Sequence, residues 1–434
     1  MSSAKKLKTL PKVDSMKQGI CIGWFLLCFG AIPSWSTPAG QSWTLEALLQ
    51  KGLASNPELR SYEAEVAAAK GQREQAGLWK NPEITGEYGH RRVSNGTEAT
   101  TGFTRNLSAS QTFEFPGKGS LRKAIAEQDI RLAELGLSQF RLALRGQIEA
   151  LAYQYVVASQ QARVAEEIED RCQSLMQLLA KRPSAGTQQF LELKVIEGSL
   201  FELQKSSRDL IQSRDEALIE LRRLLGLPKS QELEIESQFS LPTLKADSTT
   251  IVLRGLSGNV QLKMRLAEVE KAIKSVSVAK LDAAPDFSVG PFFSQDKAAE
   301  NEVNIGASVS TSLPLWNWNQ GNIATSQARR VQADALLMDA RSKVESEILR
   351  RLRSFELTKK QLAQMPETTV SILREAADLA DRQYRTGVIG VQLFLETQRG
   401  FLAAQKAYTE AQLGAWRDLL DLELLTGGSL ELQK

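Results

Sequence analysis

The chain has 434 residues, 42% of them hydrophobic and 24% charged, with a single His, three Cys and a formal charge of +3. That length would ordinarily suggest two or three globular domains, but its proline-free helical stretches are too long and too thin for compact domains. The balanced charge offers no basic surface for nucleic acid, and so few His and Cys leave too few ligands for a soft-metal site.

The first feature in chain order is an uncharged apolar run from Ile20 to Ile32, preceded by Lys5, Lys6, Lys8, Lys12 and Lys17 and followed by Ser34-Trp35-Ser36. Such a run is too short to span a bilayer and ends in small residues, so residues 1–36 read as a secretory signal peptide, with Met16 a second candidate start. Its loss removes five Lys and one Asp, taking the formal charge from +3 to −1. Cys21 and Cys28 leave with it. Cys172 is then the only thiol, with no intramolecular disulfide partner, and is expected on a packed helix face.

The remainder is written twice. Gly52-Leu53 matches Gly255-Leu256, Asn56 matches Asn259, Ala64-Glu65-Val66 matches Ala267-Glu268-Val269 and Pro82 matches Pro285, each offset by 203 residues. Gly119 with Gly321 and Ala126 with Ala328 follow at an offset of 202. A tandem repeat of roughly 200 residues constrains the fold more than any local motif. The expected units are 37–245 and 246–434, each ordered as long helix, two strands, very long helix, turn and long helix.

In the first unit Glu83 to Arg91 reads as a strand, and Leu107, Ala109, Gln111, Phe113 and Phe115 alternate with Asn106, Ser108, Ser110, Thr112 and Glu114 as another. The second unit offers Asp286 to Ser294, then Val303, Ile305, Ala307, Val309, Thr311, Leu313 and Leu315 alternating with mostly small polar residues. Arg92 to Gly102 and Gln295 to Glu302 read as the joining loops. Strands with one apolar face suit a transmembrane barrel and also a half-buried soluble sheet; the signal and the long helices favour the membrane. Leu107, Phe113, Val303, Ile305, Val309 and Leu313 are then the lipid-facing candidates, with Ser308 and Ser310 facing the lumen. Four strands cannot close a barrel, and an open edge is forbidden in lipid, so several chains must share one.

Leu121 to Lys181 contains no proline and is rich in good helix formers. About 60 residues at 1.5 Å each make a rod of roughly 90 Å. Asn322 to Arg385 repeats it, interrupted by Pro366. The return helices carry apolar seams on 3-4 spacing. One runs from Leu193 through Ile196, Leu200, Leu203, Leu210, Ala217 and Leu221 to Leu224, broken at Ser207 and Arg214. The other runs from Phe394 through Thr397, Phe401, Ala404, Tyr408, Ala411, Ala415 and Leu422 to Leu425, broken at Asp418. Sustained heptads indicate helices packed on helices as in coiled coils. The turns, Lys181 to Thr187 with Thr187 as an N-cap and Tyr384 to Gly390, fall at one end of the rod, far from the strands.

The chain resembles the TolC family of outer-membrane efflux factors over essentially its whole mature length. The resemblance rests on Leu45-Glu46-Ala47, Asn56-Pro57-Glu58-Leu59 and Asn81-Pro82, then on Phe113-Glu114-Phe115-Pro116-Gly117-Lys118 and Leu313-Pro314-Leu315-Trp316-Asn317-Trp318-Asn319-Gln320-Gly321. Tyr384-Arg385-Thr386-Gly387, Phe394-Leu395-Glu396-Thr397-Gln398-Arg399 and Leu424-Leu425-Thr426-Gly427 complete the set. The two strand-ending motifs are most similar to the CzcC-like branch, associated with heavy-metal efflux by resistance-nodulation-division pumps. The resemblance implies a mainly α fold with membrane β. Its homotrimer places twelve strands in one outer-membrane barrel of a Gram-negative cell, continuous with a coiled-coil periplasmic tunnel. It implies a passive duct, without enzymatic activity or cofactor, fed by a periplasmic adaptor and an inner-membrane pump. Heavy-metal cations are one cargo class, and drugs or secreted proteins are alternatives. The turns would then receive the adaptor through Arg182, Ser184, Gly186, Thr187, Arg385, Thr386 and Gly387. The family's acidic constriction falls on Glu396, whereas its second acidic position is Leu393 here, a departure.

Other candidates carry less. Gly117-Lys118-Gly119-Ser120 lacks the preceding glycine of a phosphate loop. Glu375, Asp378 and Asp381, at spacings of three, read as a solvated helix face. No nucleophile, base and orienter constellation points to an enzyme. A periplasmic coiled-coil adaptor would explain the helices but leave four membrane-grade strands unused.

Overall fold

The computed structural model describes residues 43–95, 98–181, 186–228, 233–236, 243–244, 247–298, 300–428, 430 and 432–433. The expected signal peptide and the turn residues Arg182 and Ser184 lie outside them. The first half contains α1 (Leu45–Ser55), α2 (Pro57–Ala76), β1 (Glu83–Asn95), β2 (Glu98–Phe113), α3 (Lys118–Lys181) and α4 (Thr187–Leu225). A short β3 (Thr243–Leu244) leads to α5 (Ser248–Gly258), α6 (Val260–Leu281), β4 (Phe287–Asp296) and β5 (Glu302–Thr311). The chain closes with α7 (Gln320–Gln364), α8 (Glu367–Arg385), α9 (Val391–Leu425) and β6 (Leu432–Gln433), which pairs with β3.

The 64 residues of α3 form one uninterrupted helix, about 96 Å long at 1.5 Å per residue. Its counterpart breaks into α7 and α8 because Pro366 has no N–H to continue the ladder and pushes Met365 out of helical geometry. Helices α2, α3, α6 and α7 lie side by side in that order, with α4 packed on α3, and α9 packed on α7, α8 and α3. Two of the three breaks in the apolar seams are buried. Ser207 is buried within α4, and buried Asp418 meets Arg351 at 3.4 Å, with Asp421 on the same guanidinium at 3.0 Å. Cys172 packs within the largest apolar cluster, where burial pushes its thiol up to about 11.

The duplication is visible as a repeated joint. Asn56 caps α2 by accepting from Glu58 N at 2.9 Å, and its amide donates to Leu224 O at 3.1 Å, at the end of α4. Asn259 caps α6 by accepting from Leu262 N at 2.9 Å and donates to Leu425 O at 2.9 Å, at the end of α9. Beside each joint a glycine admits an isoleucine: a Cβ on Gly52 would stand 2.3 Å from Ile148 Cδ1, and one on Gly255 2.2 Å from Ile348 Cδ1. Strand-to-helix corners repeat as well. Gly117 leads into α3 at φ 99° and Asn319, its equivalent, leads into α7 at φ 60°. Asn is among the few residues that tolerate this left-handed backbone.

The four main strands form one antiparallel sheet ordered β1-β2-β4-β5. Its hairpins are longer than the alternation suggested. β1 continues to Asn95 and β2 starts at Glu98, so most of the expected Arg92 to Gly102 loop is strand, stabilised by Val93 and the Thr-rich run 100–104. At the other end β5 stops at Thr311, paired with Phe287. Leu313 and Leu315 lie beyond it, because Pro285 and Pro314 cannot donate to a ladder there and Leu315 N instead bonds Leu313 O at 2.9 Å.

Asn56→Ala should cost about 0.5–2 kcal/mol for the lost cap and about 1–3 kcal/mol for the orphaned Leu224 carbonyl, with Asn259→Ala matching it. Asn56→Asp, which keeps the cap acceptor but not the donor, should fall between wild type and Ala. Thermal unfolding followed by circular dichroism checks the ranking.

Candidate functional site

Two ends of the molecule carry the candidate residues. At the sheet, the registers align the alternations of all four strands. Gly86, Leu107, Phe293 and Ile305 share one row across the sheet, and Val289 stands between Gln111 and Val309. Leu107, Phe113, Val303, Ile305 and Val309 therefore occupy one face, together with Ile84, Tyr88 and Phe287. Ser308, Ser310, Ser288, Ser108 and Asn106 occupy the other. Leu313 does not join them within a strand, although it is exposed. Arg105 and Gln295 interrupt the apolar face but pair with each other, Nε to Oε1 at 2.7 Å.

The apolar face is bounded by aromatic rings. At the helical side Phe113 stacks on Phe287 at 5.5 Å, Trp79 meets Phe113 edge-on at 5.7 Å, and Trp316 and Trp318 are exposed. At the far side Tyr88 stacks on Phe103 at 6.1 Å, with the Lys297 ammonium 5.3 Å from the Phe103 centroid. The stretch from Phe103 to Phe113, at about 3.4 Å per residue and a tilt of roughly 40°, stands about 26 Å high. That is the height of an outer-membrane apolar band between aromatic girdles. Among the described residues no helix is long and apolar enough to cross a membrane.

Lys118, from the discounted phosphate-loop match, is buried where strand turns into helix. Its ammonium donates to Ala284 O and Asp286 Oδ1, both at 2.8 Å, tying the first repeat to the second.

At the opposite end, one apolar cluster holds both hairpins together, with Ile168, Cys172, Leu175, Leu179, Ile196 and Leu200 from α3 and α4 against Ala377, Tyr384, Phe394 and Phe401 from α8 and α9. Gly186 is the N-cap of α4 with φ 86°, so Thr187 is the first helical residue and not the cap. With no Cβ, Gly186 alone suits that backbone, which a Thr cap would not. In the second turn Thr386 is the C-cap of α8, Gly387 N bonds Tyr384 O at 3.0 Å and Val388 N bonds Gln383 O at 2.9 Å. This is a Schellman closure around Gly387 at φ 77°. Gly186, Thr187, Arg385, Thr386 and Gly387 are all exposed.

Glu396 is exposed on α9, beside buried Leu395 and one turn from exposed Leu393. The expected solvated face on α8 is only partly so. Glu375 is exposed, but Asp378 accepts from Arg171 at 2.5 Å and Asp381 from Arg385 at 2.9 Å. Spacing alone could not show the Arg171 contact, which comes from a residue some two hundred positions away. Among the described residues no three His, Cys, Asp or Glu side chains gather as metal ligands.

A sheet apolar on one face, open at both edges and continuous with rod-like helices defines a channel-forming protein. The chain belongs to the outer membrane efflux protein family, which matches residues 48–227 and 254–428. Members are efflux channels, the outer-membrane components of tripartite systems that work with an adaptor and an inner-membrane pump. The chain is similar to the pyoverdine export outer membrane protein OpmQ of Pseudomonas aeruginosa, at 24% identity over 404 residues, covering 88% of this chain and 85% of that one. It is also similar to the cobalt-zinc-cadmium resistance protein CzcC of Cupriavidus metallidurans, at 21% identity over 385 residues, covering 87% and 88%. In fold it matches the CmeC outer membrane channel of Campylobacter jejuni with a TM-score of 0.72 at 16% identity, covering 89% of this chain and 86% of that one.

Proposed function

We propose that three copies of this chain close one twelve-stranded barrel in the outer membrane of a Gram-negative cell and extend it as a periplasmic tunnel. The chain would serve as the passive exit duct for cargo delivered by a resistance-nodulation-division pump through a periplasmic adaptor. The observation that carries this reading is the open-edged sheet with a 26 Å-scale apolar face between two aromatic belts. Family membership supplies the efflux context. The likeness to CzcC supports heavy-metal cations as cargo, and the likeness to OpmQ, a pyoverdine export protein, supports an organic solute as the second reading. The repeat units 37–245 and 246–434 each contribute half of the wall.

In detergent the folded protein should have the mass of a trimer, and a folded monomer would overturn the reading. Val309→Arg should abolish trimer recovery, since a lipid-facing cation near the midplane costs about 2–4 kcal/mol in each copy. Ser308→Arg, on the lumen face, should leave trimer recovery near wild type. Equal losses would mean that the two faces are assigned the wrong way round or that neither meets lipid.

The turns would receive the adaptor through Gly186, Thr187, Arg385, Thr386 and Gly387, together with Arg182 and Ser184. Gly387 is a poor probe, because any side chain at its φ of 77° is strained. Val388, exposed beside it, is the cleaner one. Val388→Glu would bury an unpaired charge under the adaptor at about 1–3 kcal/mol, roughly five- to 150-fold in affinity. Efflux-dependent resistance should drop with trimer level unchanged; unchanged resistance would remove this turn from the docking surface.

Glu396 would ring the constriction, where three carboxylates around one axis repel each other and attract cations. Planar-bilayer conductance should therefore be cation-preferring and blocked by millimolar divalent cations, and Glu396→Gln should weaken both properties. Unchanged preference and block would make Glu396 a surface residue outside the pore.

A further inference from the structure

We propose that the lipid-facing side of the sheet binds a phosphorylated glycolipid of the outer leaflet, through Arg92, Arg105 and Lys297 gathered about the Phe103 ring. The proposal rests on the reading above that this face meets lipid. It adds a ligand at the rim farthest from the helices.

The registers place the cations on one side. Arg105 and Phe103 alternate onto the same face as Leu107, and Tyr88, His90 and Arg92 stand opposite Arg105, Phe103 and Thr101. Lys297 follows β4, where its N–H donates to Phe103 O at 3.0 Å. Its ammonium lies 5.3 Å from the Phe103 centroid, and the Arg105 guanidinium carbon lies 5.8 Å from the same centroid. Two cations therefore flank one ring at distances where its π face attracts them. The carboxylates of these strands alternate onto the other face, as Glu87, Asp296 and Glu302, and there Asp296 meets Arg91. Charge at this rim is thus sorted by face, with cations alone directed outward.

Arg105 shows what the cluster is arranged to hold. At about 3.4 Å per residue and a tilt of roughly 40°, its Cα lies about 5 Å inside the level of Phe103. Its side chain runs outward to the ring, as long cationic side chains do at an interface. A guanidinium has five N–H donors and no acceptor. Gln295, only 6% exposed, accepts from Nε at 2.7 Å and also from Nη2, and is itself held by donating to Asn301 Oδ1 at 2.6 Å. A neutral partner fixes the direction of the fork without cancelling its charge. Among the described residues none of Arg92, Arg105 and Lys297 joins an ion pair, and all three are exposed. The rim beside the helices is built differently. There Lys80 reaches Glu114 and Asp286, Lys118 meets Asp286 at 2.8 Å, and Arg122 meets Glu114 at 2.6 Å.

Cations with no countercharge, set at headgroup depth on a lipid-facing surface, call for an anion supplied by the lipid. Arg binds phosphate through a planar fork and Lys as a point charge, so both types of group suit phosphoryl oxygens. A phosphate monoester carries about −1.5 to −2 charges near neutral pH, more than the single charge of a phospholipid diester. Three cations therefore match a headgroup bearing phosphate monoesters better than they match an ordinary anionic phospholipid. Tyr88, stacked on Phe103 with His90 edge-on to it at 6.1 Å, lays a flat surface beside the cations for the sugar of such a headgroup.

The test titrates the full-length protein, purified in detergent, with bis-phosphorylated lipid A and counts bound lipid by native mass spectrometry. Wild type should bind it on the order of tenfold more tightly than phosphatidylglycerol or lipid A stripped of its phosphates. Arg105→Gln with Lys297→Gln should weaken binding about tenfold, whereas Arg105→Lys with Lys297→Arg should stay within about threefold of wild type. Lys80→Gln, at the other rim, should bind as wild type does. Should the double Gln variant fail to fold, Arg92→Gln reads the site alone, with an expected loss of about threefold. Lipid A binding that ignores these neutralisations, or phosphatidylglycerol bound as tightly as lipid A, would overturn the proposal and leave the membrane reading standing. A protein that stays in solution without detergent and does not enter lipid vesicles would overturn both.

Discussion

Hydrocarbon offers nothing to hydrogen-bond with, so each backbone N–H or C=O left unpaired in a bilayer costs several kcal/mol. In this chain that penalty falls on the outer edges of β1 and β5, which are unpaired within the four-stranded sheet. The apolar face between two aromatic belts fixes where the membrane would sit, and the edges then require company. The helices follow the same logic at the next level. Each strand hairpin passes through a left-handed corner, at Gly117 or Asn319, directly into a rod, so the order β1-β2-β4-β5 is matched by α2-α3-α6-α7. In that row α2 and α7 stand at the two ends, each with a row neighbour on one side only, which is why so much of both is exposed in the single chain.

Duplication explains how this row of helices is held in shape. The two Asn caps are each both acceptor and donor, fastening the entry of one helix to the exit of another. Buried amides of this kind must be satisfied or they cost more than they contribute, and the paired glycines let Ile148 and Ile348 pack tightly alongside. Departures from the repeat are then informative. Pro366 divides the second rod, whereas the first runs on through Val164.

Much of this was legible in the sequence because it depends on periodicity. The alternation at 303–311, the heptads of α4 and α9, and the offset of 203 fix the element types and their order. What could not be read depends on contacts between distant positions. Asp418 looked like a defect in an apolar seam until Arg351 was beside it. Asp378 looked solvated, yet Arg171 reaches it from the other hairpin. Strand ends depart from the alternation in both directions. Thr and Val residues continued a hairpin that polar composition suggested was loop, and a proline on either side of the ladder ended β5 before its alternation ran out. Glu396 illustrates a third limit: an acidic residue in an apolar run reads equally as packed or exposed, and its exposed position on α9 emerges only with the fold.

The balance of forces at the helical end differs from that at the sheet. Arg171, Arg374 and Arg399 link the two hairpins through Asp378, Glu167 and Glu202. Pairs as exposed as Arg399 with Glu202 contribute about 0–1 kcal/mol each, less than a single buried Phe or Leu side chain at about 1.5–3 kcal/mol. Phe394, Phe401, Ile168, Ile196 and Cys172 are all buried in the cluster the hairpins share. Apolar packing therefore supplies the cohesion there, and the ion pairs set which turn of one helix meets which turn of the next. Because a packed core resists sliding by fractions of a residue, α3 and α4 are held in a fixed register against α8 and α9.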